Sequence, residues 1–221
     1  MKPQPIGILG GAGPTAGVLL LERVFSLSSS RYGCYRDSDF PRVIFLSFPF
    51  TEMLTPEMDA AELRKELSEC LNQLRNNGAV VLAIACNTLH AFLEEDEVDL
   101  VHLPKVLTGE IPPGEIPLVL CTSTSVRFGV HNRFFPCQYP DPQTQTQVDQ
   151  LIDRILGGAD IQLIANELSI ILESLNATTI ILGCTELSLI RNLCSENKLI
   201  LDPLEIVANK LVEISFTKTR R

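Results

Sequence analysis

Residues Val80–Ala85 form an unbroken apolar run that stops at Cys86-Asn87-Thr88, and this stretch constrains the fold more than any other. Continuous rather than alternating hydrophobicity means a short strand buried on both faces, the kind found in parallel sheets covered by helices. Ending it in a thiol, an amide and a hydroxyl puts three small polar groups at the carboxyl edge, where open α/β sheets hold ligands. Taken alone, the tripeptide reads first as a core cysteine followed by a helix N-cap.

The rest of the chain repeats the pattern. Strands are expected at Ile6–Leu9, Arg42–Phe48, Ala79–Ala85, Pro117–Thr122, Thr178–Gly183 and Leu199–Asp202, with a further one at Phe134–Tyr139. Helices are expected from Pro14 to about Phe25, then over Glu57–Asn76, Asn87–Leu93, Val148–Leu156, Ile161–Leu175 and Leu204–Phe216. Ser28–Phe40 reads as a loop, and the three prolines of Leu103–Gly114 suggest a short strand and a connector between two units. Alternation of strand and helix throughout means a parallel α/β architecture. The first turn, Gly10-Gly11-Ala12-Gly13-Pro14, joins a strand to a helix start and suits a small anion such as a carboxylate. The second strand lacks the acidic residue that a dinucleotide fingerprint places after it.

Charge and cysteine usage exclude several classes. A formal net charge of −9 over 221 residues gives no basic face for nucleic acid. Gly10, Gly11, Gly13, Pro14 and Gly17 interrupt the N-terminal apolar segment, so it is neither a signal peptide nor a membrane span. Seven cysteines without paired close spacing give no zinc site and point to reduced thiols in the cytoplasm. Cys34, Cys70, Cys121, Cys137 and Cys194 read as structural.

Two of the cysteines share a context. Ala79–Thr88 and Thr178–Thr185 are both apolar strands that break into a cysteine with a hydroxyl close behind, Cys86 in one and Cys184 in the other. Two such strand ends facing across a cleft would present thiols to opposite sides of a bound carbon. That arrangement can remove a proton from one face and return one to the other. A thiol suits the task because a helix N-terminus lowers its pKa toward neutrality.

Three blocks carry a resemblance: Gly7-Ile8-Leu9-Gly10-Gly11-Ala12-Gly13-Pro14, Ala85-Cys86-Asn87-Thr88-Leu89-His90, and Leu182-Gly183-Cys184-Thr185-Glu186-Leu187. In this order and spacing, and with Asp202-Pro203 near the end, they resemble the aspartate/glutamate racemase family in its aspartate-racemase branch. The resemblance implies two pseudo-symmetric α/β/α subdomains with mostly parallel sheets and the active site in the cleft between them. Residues 1–104 plus 203–221 would form one subdomain and 105–202 the other. It implies a homodimer that racemises an amino acid, aspartate first, without pyridoxal phosphate, metal or other cofactor. Its product would feed cell-wall or non-ribosomal peptide synthesis. Cys86 and Cys184 would be the acid/base pair, the first acting on the D-enantiomer and the second on the L-enantiomer. Ala12, Gly13, Asn87, Thr88, Thr122, Ser125, Thr185 and Glu186 would hold the substrate, with Glu186 orienting a thiol or the ammonium group.

Aspartate-active relatives carry an arginine and a lysine where this chain has Leu54 and Leu156. Arg36, Arg42 and Arg133 are the candidate replacements. The same departures keep open other substrates on this scaffold (glutamate, a hydantoin or maleate), and a ligand-binding relative without turnover is the non-enzymatic alternative.

Overall fold

The computed structural model of the chain describes residues 2–51, 59–93, 97–193 and 198–217. Leu54, Cys194 and most of the Glu94–Glu97 run therefore lie outside the described residues. Two three-stranded parallel sheets organise the rest. β1 (Ile6–Gly10) lies between β2 (Val43–Ser47) and β3 (Val81–Ile84), while β5 (Thr179–Leu182) lies between β4 (Leu118–Leu120) and β6 (Leu199–Leu201).

Single-residue bridges extend both sheets and expose their likeness. Leu100 pairs with Leu82 outside β3, and Gln138 pairs with Leu118 outside β4. The orders β2-β1-β3-Leu100 and Gln138-β4-β5-β6 then superimpose, with β3 and β5 in the same interior place. The last registered residues of these strands are Ile84, opposite Leu9, and Leu182, opposite Leu120. Each precedes its cysteine by two positions.

Both sheets are covered on both faces, which is why their strands are apolar without alternation. Val81 and Ala83 pack with α1 (Pro14–Tyr32) and α7 (Pro203–Phe216) through Leu20, Val24, Val207 and Leu211. Leu82 and Ile84, pointing the other way, meet Leu63, Leu67, Leu71 and Leu74 of α2 (Ala60–Asn76). α7 thus covers the first sheet although it follows the last strand of the second. In the second sheet, Ile180 and Leu182 pack on α5 (Pro142–Leu156) and α6 (Ile161–Ser174), and Ile181 packs on Leu107 and Phe135. Each such fully buried Leu or Ile contributes roughly 1.5–3 kcal/mol.

Four local expectations are corrected. α1 runs on to Tyr32, because Ser28 and Ser30 return their hydroxyls to Val24 O and Ser26 O (2.7 and 2.9 Å) instead of ending the helix. Residues Leu103–Gly109 are helical: α3 (Leu103–Val106), with Pro104 in its first turn, runs into a 3₁₀ turn over Leu107–Gly109. Phe134–Tyr139 contributes only the Gln138 bridge. α5 starts at Pro142, earlier than the apolar spacing indicates, because the Asp141 side chain caps Gln143 and Thr144 N–H at 2.9 and 3.2 Å. Among the described residues no helix is long and apolar enough to cross a membrane.

Candidate active site

A cavity of about 220 Å³ opens between the carboxyl edges of the two sheets. That is below the roughly 300–1,000 Å³ of pockets for drug-sized ligands, and suits a molecule the size of one amino acid. Its wall includes Cys86, Asn87 and Thr88 after β3, and Gly183, Cys184, Thr185 and Glu186 after β5. Gly11, Ala12 and Gly13 come from the first turn and Thr122 from the end of β4. The cavity therefore brings together both cysteines and every sequence-derived site residue except Ser125. Ser125 is buried behind the wall, with its Oγ 2.8 Å from Thr88 Oγ1 and 3.3 Å from Thr122 Oγ1. It is the leading residue of α4 (Ser123–Arg127) to reach across to the first half, and it holds Thr88 in place.

Each thiol sits where a strand gives way to a 3₁₀ turn. After β3 the turn is Thr88–Phe92, and after β5 it is Thr185–Leu189. Gly183 is required at the second turn: a Cβ there would overlap Val119 and crowd Cys121 and His131. Thr185 Oγ1 lies 3.2 Å from Ala85 O and 3.3 Å from Glu186 Oε2, so its one proton ties the second turn either to the end of β3 or to the carboxylate. His90 supports the first turn from behind. Leu103 N–H donates to its Nε2 at 3.2 Å, so Nδ1 carries the proton and donates to Cys86 O at 2.8 Å. Burial and the neighbouring His102 and His131 lower its pKa to about 3, and it stays a neutral brace. A Cys86–His90 nucleophile pair is therefore not formed.

Electrostatics reverse one expectation. Neither thiol is lowered toward neutrality. Burial, then the Glu186 charge, pushes Cys86 up to about 12, although Leu89 and Thr88 N–H and the Thr88 hydroxyl favour its thiolate. Cys184 is raised further by burial, by the Glu186 charge and by donating its S–H to Glu186 Oε2 at 2.9 Å. Glu186 is itself raised by burial, partly offset by bonds from Cys184 and Thr185. Three acids thus share one desolvated space, and like-charge repulsion opposes their ionising together.

The cavity also holds unpaired polar atoms. Asn87 Nδ2, Asn87 Oδ1 and Glu186 Oε1 are buried with no hydrogen-bond partner among the described residues. An orphaned buried group costs about 1–3 kcal/mol, so three together at a cavity wall mark a place a polar ligand fills. One is a donor and two are acceptors. Gly13, at φ 83°, is what admits Glu186: a Cβ at that position would overlap Oε1.

Four wall residues carried no site reading of their own in the sequence or were read only as a departure: Phe50, Thr51, Ile152 and Leu156. Phe50 and Thr51 follow β2 and were recoverable from the strand-end rule. Ile152 is on the apolar face of α5, where core and wall look alike in sequence.

No family model matches the chain. The broad specificity amino-acid racemase RacX of Bacillus subtilis (strain 168) is 27% identical over 133 residues, a match that spans 58% of this chain and 59% of that relative. Among solved structures, the Picrophilus torridus aspartate racemase superposes with a TM-score of 0.77 at 20% identity, covering 98% of this chain and 96% of the other. An aspartate racemase homologue from Pyrococcus horikoshii OT3 gives 0.68 at 22% identity over 98% and 100%. A Francisella tularensis glutamate racemase in complex with D-glutamate gives 0.67 at 17% over 98% and 82%. With its two covered parallel sheets and a cavity between their strand ends, the chain has the fold of the aspartate and glutamate racemases.

Proposed function

We propose that the protein is a cofactor-independent amino-acid racemase in which Cys86 and Cys184 are the two bases. The observation that carries this is the pair of thiols at equivalent strand ends opening into one cavity beside Asn87 and Glu186. The orphaned acceptors Glu186 Oε1 and Asn87 Oδ1 suit an ammonium group, and Asn87 Nδ2 suits a carboxylate. The ammonium charge offsets the Glu186 carboxylate, which together with burial holds both thiols protonated. Cys184 S–H then passes its proton to Glu186 Oε2 across 2.9 Å. The thiolate takes the α-proton from one face of the substrate, and the C–H electron pair moves into the carboxylate. Cys86 S–H delivers a proton to the opposite face. The charge leaves the cycle on Cys86, where Thr88 and Leu89 N–H favour it. Reversal uses the same steps from the other side.

Solved structures with this fold are named as aspartate and glutamate racemases, which makes aspartate the first substrate to assay. The proposed setting is a cytoplasmic homodimer that supplies a D-amino acid to peptide synthesis. The test is solvent exchange: L-amino acids incubated with the protein in deuterated buffer without pyridoxal phosphate, followed by NMR. Loss of the α-proton signal with inversion is the expected result, and the inversion should disappear in both Cys86→Ala and Cys184→Ala. Absence of exchange across the natural amino acids would overturn the proposal.

A further inference from the structure

We infer that the side-chain end of this cavity selects uncharged, aliphatic amino acids over dicarboxylic ones, an inference that rests on the racemase reading above. The polar atoms of the wall are accounted for at the inner end. Asn87, Glu186 and the two thiols face the α-carbon and its substituents. Thr88 is bonded to Ser125, and Thr122 donates to Ser125 Oγ and accepts from its N–H. The remaining wall is Phe50 and Thr51 on one side and, on the other, Ile152 and Leu156, one helical turn apart on α5. Both hydrogen-bond donors of Thr51 are turned away from a ligand. Its N–H and hydroxyl both donate to Glu66 of α2, at 3.0 and 2.9 Å. That places a second carboxylate directly behind this wall.

Among the described residues no lysine or arginine lines the cavity. The three arginines able in sequence terms to serve as replacements are engaged elsewhere. Arg36 lies over the Tyr35 ring, Arg42 packs beside Gly78 at the amino end of the first sheet, and Arg133 donates to Ala91 O and Phe128 O. Arg154, on the same helix as Leu156, is held by both oxygens of Glu167 at 2.6 and 2.9 Å. A side-chain carboxylate would thus enter a wall of Phe, Ile and Leu, with Glu186 in the lining and Glu66 behind Thr51, and would lose its hydration without a counter-ion among the described residues. A leucine- or methionine-like side chain buries apolar surface there instead.

The experiment compares kcat/KM for α-proton exchange of L-leucine, L-methionine and L-norvaline with that of L-aspartate and L-glutamate, on the full chain in deuterated buffer. The neutral set is expected to exceed the acidic set at least tenfold. Leu156→Lys, at a position 41% exposed and so able to hold a lysine, is expected to move the leucine-to-aspartate ratio at least tenfold toward aspartate. Aspartate or glutamate equal to or better than the neutral set in the unaltered protein overturns this inference and leaves the racemase reading standing. Failure of every amino acid to exchange overturns both.

Discussion

Replacing Glu186 by Gln should make the protein more stable and less active at neutral pH, and the two effects together test the role of this carboxylate. Glu186 is 4% exposed, Oε1 has no partner, and burial raises its pKa. Gln keeps the shape and an acceptor for Cys184 S–H but removes the buried charge. The amide of Gln is left as unpartnered as Oε1, so what is gained is the excess cost of burying a charge over burying a neutral polar group, about 1–3 kcal/mol. For a chain of this length it raises Tm by roughly 2–12 °C. The sign follows from linkage. A carboxyl whose folded pKa lies above its unfolded value contributes stability that is complete below about 4.3, the unfolded value, and lost as pH rises through the folded value. Wild type and Glu186→Gln should therefore melt together in acid and separate toward neutral pH, with the Gln variant higher. Over the same range exchange should fall by roughly 10²–10⁴, the usual contribution of a positioned base. The Cys86 and Cys184 thiols should titrate at lower pH than in wild type, because the charge that raises both is gone. Calorimetry, exchange NMR and thiolate absorbance read the three effects. A Gln variant that is less stable at neutral pH, or fully active, would refute the reasoning.

Single removal of each thiol should act one-sidedly. Cys184→Ala is expected to abolish exchange from one enantiomer and Cys86→Ala from the other, with racemisation lost in both; loss of exchange from both enantiomers in either variant would argue against separate faces. Gly13→Ala forces a Cβ into Glu186 Oε1 at a left-handed φ of 83° and should lower both exchange and Tm, by about 1–3 kcal/mol of stability. Ser125→Ala, which removes the shared partner of Thr88 Oγ1 and Thr122 Oγ1 behind the wall, should cost about 1–2 kcal/mol and lower exchange far less than either cysteine variant. Because the proposed cycle starts from an ionised Glu186 and two protonated thiols, kcat/KM should rise as pH passes the raised Glu186 pKa and then level off; a profile that keeps climbing into alkaline pH would mean that a preformed thiolate, not the Glu186 carboxylate, starts the cycle.

The apolar runs that end in Cys86 and Cys184 carry the architecture in their own composition. A strand covered on both faces must be hydrophobic at every position, and its polar residues collect where it leaves the sheet. For that reason the parallel sheets, the strand ends and the pairing of the two cysteines were all legible from the chain alone. Local chemistry that overrides composition was not. The serines of α1 bond back to their own helix, Asp141 advances the start of α5, and Leu103–Gly109 coils around a proline that reads as a breaker.

Ser125 and Glu186 mark the same boundary within the site. Both belong to blocks that the sequence singles out, yet only packing places Ser125 behind Thr88 and points Glu186 Oε1 at Gly13. The thiol pKa shifts also needed the three-dimensional arrangement. A turn after a strand offers N–H groups that favour a thiolate, but desolvation depends on what the opposite half of the molecule covers. Ile152 and Leu156 are ordinary apolar positions of a helix until the second sheet brings that helix over the cavity mouth. Periodicity and motif are properties of neighbouring residues, so the chain order alone specifies strands, helices and the two strand-end thiols. Charge balance and side-chain fit in the cavity depend on residues distant in sequence, and only the assembled sheets bring those together.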